Sequence, residues 1–154
     1  MHRQIFILSV LACICNTLSA QSTFSTTIDF SGGAESGVAV LPLEDGFIIA
    51  GTGWGYEFPE FFDDKLKFTK TDLEGNIVWQ KVIGDSAVRY FTDWRSIIKT
   101  IDGNIVFSVT RQTDTTSFPM LVKLNPETGD TIFTKYFDQD PILYSTFVRE
   151  LSDG

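Results

Sequence analysis

Thiols and imidazoles are almost missing from this chain. It has 2 Cys and 1 His, and His2, Cys13 and Cys15 all stand at its extreme N-terminus. The remainder therefore lacks the groups for a Ser-His-Asp or Cys-His nucleophile and for the usual structural zinc sites. Positive charge is also scarce. Twelve Lys+Arg stand against 20 Asp+Glu, for a net charge of −8 and a pI near 4.5. A nucleic-acid surface needs clustered Lys and Arg, so that class is excluded. No apolar run reaches the roughly 20 residues needed to span a bilayer as a helix, and no segment keeps a helical period. No glycine-rich loop follows a strand and opens a helix. Gly51-Thr52-Gly53-Trp54-Gly55 therefore reads as a flexible exit from a strand and not as a phosphate cradle. What the chain does have is aromatic mass: 14 Phe, 3 Trp and 4 Tyr, too much apolar surface for a disordered segment.

Residues 1–20 read as a secretory signal peptide. A short basic start holds Arg3, an apolar stretch runs from Ile5 to Ile14, and Ser19-Ala20 precedes Gln21. This is the three-part layout of such signals. The rival readings are a buried N-terminal strand or helix, and a lipoprotein anchored at Cys13 through Val10-Leu11-Ala12-Cys13. Cleavage near Ala20-Gln21 would place the protein outside the cell or at its surface. It would leave 134 residues, with 11 Lys+Arg against 20 Asp+Glu and a net charge of −9. Both cysteines would depart, so no disulfide framework is expected, although a secreted context permits one.

The rest of the chain repeats. Asp-Gly occurs at Asp45-Gly46, Asp102-Gly103 and Asp153-Gly154, spaced 57 and 51 residues apart. β-forming residues flank the pair: Val38 to Leu43 and Phe47 to Ala50 at the first, Ile97 to Ile101 and Ile105 to Val109 at the second. Asp-Gly between such runs predicts a hairpin. A second landmark follows each of the first two. Leu66 to Asp72 leads through Gly75 to Trp79, and Met120 to Asn125 leads through Gly129 to Phe133; each aromatic stands four residues after its Gly, with a Lys two residues on. Asp72 and Asn125 suit a turn start, because their side chains can bond the backbone two residues ahead. Each unit thus reads as four short antiparallel strands. In Leu66-Lys67-Phe68-Thr69-Lys70 and Leu121-Val122-Lys123-Leu124 the charged residues are expected to face solvent or a polar layer between sheets. A four-stranded unit at this period is the signature of propeller blades. A single β-sandwich is the competing reading.

Asn125-Pro126-Glu127-Thr128-Gly129-Asp130-Thr131-Ile132-Phe133 resembles the tryptophan-docking repeat of quinoprotein-like propellers, with Phe in place of Trp and Asn in place of Asp. Asp72-Leu73-Glu74-Gly75-Asn76-Ile77-Val78-Trp79 matches it with one residue deleted. The unit also resembles the repeats of secreted bacterial propeller proteins that often carry a C-terminal sorting domain. The resemblance implies an all-β fold of four-stranded antiparallel blades; closure takes about 4 to 8 blades, so two full ones are expected to be an incomplete N-terminal fragment. Its expected parts are a signal peptide (1–20), an N-terminal strand that could close a last blade (21–35), blade 1 (36–84), blade 2 (85–138) and the start of blade 3 (139–154). Further blades are expected C-terminal to Gly154. The resemblance also implies that Trp79 and Phe133, with Gly75 and Gly129, are docking positions between sheets and not ligand-binding residues.

The chemistry left over is sparse. The segment from Trp54 to Asp64 carries Trp54, Tyr56, Phe58, Phe61, Phe62, Asp63 and Asp64. Exposed aromatics beside carboxylates suit a sugar or peptide surface; the other reading packs them against an adjacent blade. Asp63-Asp64 and Asp138-Gln139-Asp140 supply oxygens of the type Ca²⁺ takes, without the spacing of a known loop; otherwise no metal or cofactor is expected. The functional expectation is a secreted or cell-surface, non-enzymatic binding or scaffolding module with a protein or glycan ligand. The alternative is a fragment of a propeller enzyme, a quinone-dependent oxidoreductase or a glycoside hydrolase, whose active residues lie outside this chain.

Overall fold

The computed structural model describes residues 25–29, 34–54, 65–85, 88–93, 95–138 and 147–152. The signal segment with Cys13 and Cys15 lies outside these residues. Among them the chain is all β, with nine strands in two open antiparallel sheets. The first sheet is a meander of β1 (Ala34–Leu43), β2 (Gly46–Trp54), β3 (Lys65–Thr71) and β4 (Ile77–Ile83), in that order. The second holds β5 (Arg89–Phe91), β6 (Ile97–Lys99), β7 (Ile105–Gln112), β8 (Ser117–Leu124) and β9 (Thr131–Tyr136). Neither sheet closes on itself, and the described residues form no propeller.

The hairpins at Asp45-Gly46 and Asp102-Gly103 form, with different loops, and Asp153-Gly154 lies outside the described residues. Leu43 pairs with Gly46 around the two residues Glu44 and Asp45. In the second hairpin the Thr100 N–H bonds the Asn104 carbonyl at 2.8 Å, closing a loop of three residues. Gly103 occupies the left-handed position of that loop at φ 84°, where a residue with a Cβ pays a steric penalty. Two sequence expectations are revised. Gly51, Gly53 and Trp54 belong to β2 and are not a loose exit. The first strand of the second unit is broken in two: β5 and β6 pair with different halves of the same strand, β7. The intervening residues turn to side-chain bonding instead, as Thr92 Oγ1 meets Ser96 Oγ at 2.7 Å.

The sheets pack face to face. Phe68, Ile48, Ala50 and Leu66 of the first meet Ile105, Phe107, Val109, Met120, Val122 and Leu124 of the second in one buried cluster. At its centre the Phe68 and Phe107 rings meet edge to face, 5.0 Å apart at 83°. That is the arrangement favoured by ring quadrupoles.

Candidate functional site

The expected ligand-binding segment is not among the described residues. Tyr56, Phe58, Phe61, Phe62, Asp63 and Asp64 lie outside them, and Trp54 is described only in its backbone, as the end of β2. Of the second acidic group, Asp138 is exposed and Asp140 is outside the described residues. Among the described residues no cluster of three His, Cys, Asp or Glu could hold a metal ion. No described helix is long and apolar enough to cross a membrane. A half-open pocket of about 70 Å³ lies between Ile28 and the outer face of the first sheet, against Ile49, Gly51, Lys67 and Thr69. Small-molecule sites run to roughly 300–1,000 Å³, well above this volume.

The developed site is the junction between the sheets. The turn after β8 is built by Asn125: its Oδ1 accepts from the Glu127 N–H at 2.8 Å and the Thr128 N–H at 3.3 Å. Its carbonyl accepts from the Gly129 N–H at 2.9 Å. That turn presents Pro126, Glu127 and Gly129 to the first sheet. The indole Nε1–H of Trp79 donates to the Pro126 carbonyl at 3.0 Å. Gly129 lies flat against the same ring. It sits at φ 71°, and a Cβ there would come within 2.9 to 3.2 Å of three indole carbons.

Beside the indole, Lys70 reaches two carboxylates, Asp45 Oδ2 at 2.7 Å and Glu127 Oε2 at 2.9 Å. Its side chain is only 2% exposed, while those of Asp45 and Glu127 are 57% and 69% exposed. The sequence left Lys70 between solvent and an inter-sheet layer; the structure puts it in that layer. Burial by itself pushes the Lys70 ammonium toward deprotonation, but its bonds to Asp45 and Glu127 outweigh this and raise its pKa. The same bond to Lys70 holds Asp45 below the ordinary carboxylate value. Full desolvation of a lone ammonium would be costly; the two half-exposed acids supply its partners and keep their own contact with water.

The second sheet repeats half of this junction. Lys123 lies opposite Phe133 across β8 and β9, just as Lys70 lies opposite Trp79 across β3 and β4. A register shift follows each lysine, between Lys70 and Thr71 and between Lys123 and Leu124. Lys123 bonds Asp102 Oδ2 at 2.6 Å, as Lys70 bonds Asp45. Bonds from Lys123, Thr100 and Asn104 hold Asp102 well below the usual carboxylate range. The Lys123 ammonium also stands 6.0 Å from the Phe133 ring centre. Phe133, unlike Trp79, is 42% exposed. Of the four expected docking residues, then, Trp79 and Gly129 are brought together. Gly75 lies in the separate turn between β3 and β4, where Asp72 Oδ1 accepts from the Glu74 and Asn76 N–H groups at 3.0 and 2.8 Å.

A second polar cluster joins the sheets' ends. The Tyr90 Oη accepts from the Asp85 N–H at 3.0 Å, and Arg111 reaches Asp85 at 3.4 Å. The guanidinium also lies over Phe118, 5.4 Å from its centre. Burial raises the Tyr90 pKa, which keeps it a neutral, hydrogen-bonding phenol.

Sequence reasoning found the aromatics but missed Asp45, Lys70 and Glu127 as a set. The available signal was the recurrence of a lysine nine or ten residues before each docking aromatic and of an aspartate in each preceding hairpin. The chain matches no family model, no curated protein and no solved structure.

Proposed function

We propose that this chain is a secreted or cell-surface, non-enzymatic binding or scaffolding module built from propeller-type blades. The observation that carries the reading is the duplicated junction: Lys70 and Trp79 have counterparts in Lys123 and Phe133 at the same pairing positions of two successive meanders, and each lysine bonds the aspartate of the preceding hairpin, Asp45 or Asp102. Sheets that repeat their contact residues in this way are built to stack in series. In that arrangement the polar groups between sheets serve cohesion. Lys70, Asp45 and Glu127 satisfy one another, and Asp85 ties Tyr90 to Arg111. Binding would then fall to surface segments, with the aromatic and acidic stretch 54–64 as the candidate surface for a glycan or a protein.

The test is a glycan-array and quinone-binding screen on purified protein, with turnover measured alongside. The reading expects a glycan or protein ligand without turnover, and loss of binding when Tyr56, Phe58 and Phe61 are replaced by Ser. Quinone binding with turnover would overturn it.

A further inference from the structure

The recurrent Asp-Gly pair is a chemical liability as well as a turn signal. The glycine nitrogen can attack Cγ of the aspartate before it, because glycine has no side chain to obstruct the approach. A C–N bond forms, water leaves, and a succinimide ring results. Water then returns to either ring carbonyl. The product is aspartate again or isoaspartate, in which the main chain runs through Cγ and is one carbon longer. The carboxyl must swing back onto the nitrogen that follows it, and it must be protonated for its oxygen to leave as water. Both described pairs stand in hairpin loops, with the Asp45 and Asp102 side chains 57% and 51% exposed.

The structure opposes both requirements at both places. At Asp102, Oδ1 accepts from Thr100 Oγ1 at 2.6 Å and from the Asn104 N–H at 3.2 Å, and Oδ2 accepts from Lys123 at 2.6 Å. The carboxylate is thus drawn past Gly103 to the next residue. The Gly103 N–H is itself held by the Thr100 carbonyl at 2.9 Å. At Asp45 the buried Lys70 ammonium holds Oδ2 at 2.7 Å. Gly46 is buried, pairs with Leu43, and lies so close to the Thr71 carbonyl that a Cβ would collide with it. A bond from an ammonium also favours the ionised carboxylate, the form from which oxygen does not leave as water. Both lysines come from the strand that follows the hairpin, β3 for Lys70 and β8 for Lys123.

We propose that Asp45-Gly46 and Asp102-Gly103 are isomerisation sites held in the ordinary linkage by Lys70 and Lys123, so that loss of either lysine opens its own turn to isoaspartate. At Asp45 the modification moves the free carboxyl to Cα and lengthens the loop between Leu43 and Gly46. Lys70 then keeps Glu127 as its acid and loses Asp45. The inter-sheet contact and the chemical integrity of the hairpin therefore depend on the same ammonium. This inference stands on the hairpin geometry and is independent of the binding-module reading.

The experiment incubates the purified chain at neutral pH for several weeks, with circular dichroism as a check of fold. Isoaspartate is then counted at each site by digestion and electron-transfer dissociation, which separates the two linkages although their masses are equal. In the folded wild type both sites should isomerise at least about tenfold more slowly than in the same chain unfolded in guanidinium chloride. Without its lysine a carboxyl returns toward its ordinary acidity, and one pKa unit changes the protonated fraction about tenfold. Lys70→Met should therefore raise isoaspartate at Asp45 about tenfold and leave Asp102 unchanged, and Lys123→Met should do the reverse. If Lys70→Met does not fold, Lys123→Met decides, since that side chain is 18% exposed and lies outside the buried cluster. A wild type that isomerises as fast as the unfolded chain would overturn the proposal. So would folded variants in which neither site speeds up, or in which one lysine's loss speeds both sites equally, the mark of general loosening.

Discussion

The contact between Trp79 and Gly129 allows a quantitative prediction. Trp79 is half-buried. Covering about 100 Å² of indole at about 25 cal/mol per Å² stabilises by ~2.5 kcal/mol, and the bond to the Pro126 carbonyl adds ~1 kcal/mol. Trp79→Ala should therefore cost about 3.5 kcal/mol. Gly129→Ala acts in two ways. A left-handed backbone costs an L-residue roughly 1–2 kcal/mol, and the new methyl would meet the indole at 2.9 Å. The ring is pinned through its N–H and cannot simply withdraw, so overpacking adds about 1–2 kcal/mol. When Trp79 is already Ala the second cost disappears. A double-mutant cycle by urea unfolding, followed by far-ultraviolet circular dichroism, should then show the pair less destabilised than the sum of singles by about 1–2 kcal/mol. Additivity within about 0.5 kcal/mol would refute the contact.

Other substitutions have distinct expectations. Phe107→Ala removes the ring that meets Phe68 in the core, and should cost about 3–5 kcal/mol in the same unfolding assay. Lys70→Met keeps most of the buried volume and leaves Asp45 and Glu127 free to hydrate; it should cost less than about 1.5 kcal/mol, whereas Lys70→Ala should cost more than about 2 kcal/mol because it opens a void. Tyr90→Phe strips the Asp85 N–H of its acceptor and should cost about 1 kcal/mol. For pH, Asp45, Asp72 and Asp102 all have folded-state pKa values below the ordinary carboxylate value of 3.8. Their contribution is present above that value and is lost as pH falls through the lower folded values. The Lys70 pKa lies above the ordinary lysine value of 10.5, so its contribution persists below that value and fails only as pH rises through the folded one. Thermal melting should show a plateau across neutral pH and a falling midpoint below pH 3.8; a midpoint that rises in acid would contradict these assignments.

The hairpins and strands were legible because their signals are local. Asp-Gly between β-formers and an Asx residue opening a turn each act within a few residues, and β2, β3, β7 and β8 lie where that pattern puts them. Trp79 as a contact between sheets was expected from the resemblance to docking repeats, not from any local pattern. The fate of Lys70 was not, because alternation along a strand tells which face a side chain takes and not what covers that face. Its two acids come from positions 25 residues before and 57 residues after it, separations that no local pattern reports. The break between β5 and β6 was also hidden. It depends on Thr92 and Ser96 bonding each other across the bend, a choice that such side chains make only in tertiary context. The aromatic segment from Tyr56 to Asp64 remains a reading of composition, because it lies outside the described residues.

Nuclear Overhauser spectroscopy of the labelled chain would show whether the two successive meanders stack face to face through matched contact residues. Cross-peaks are expected between the ring protons of Phe68 and Phe107, whose centroids lie 5.0 Å apart, and between the Trp79 indole and the Gly129 α-protons. Assigned spectra with intact β-sheet signals in both units but neither set of cross-peaks would contradict that stacking.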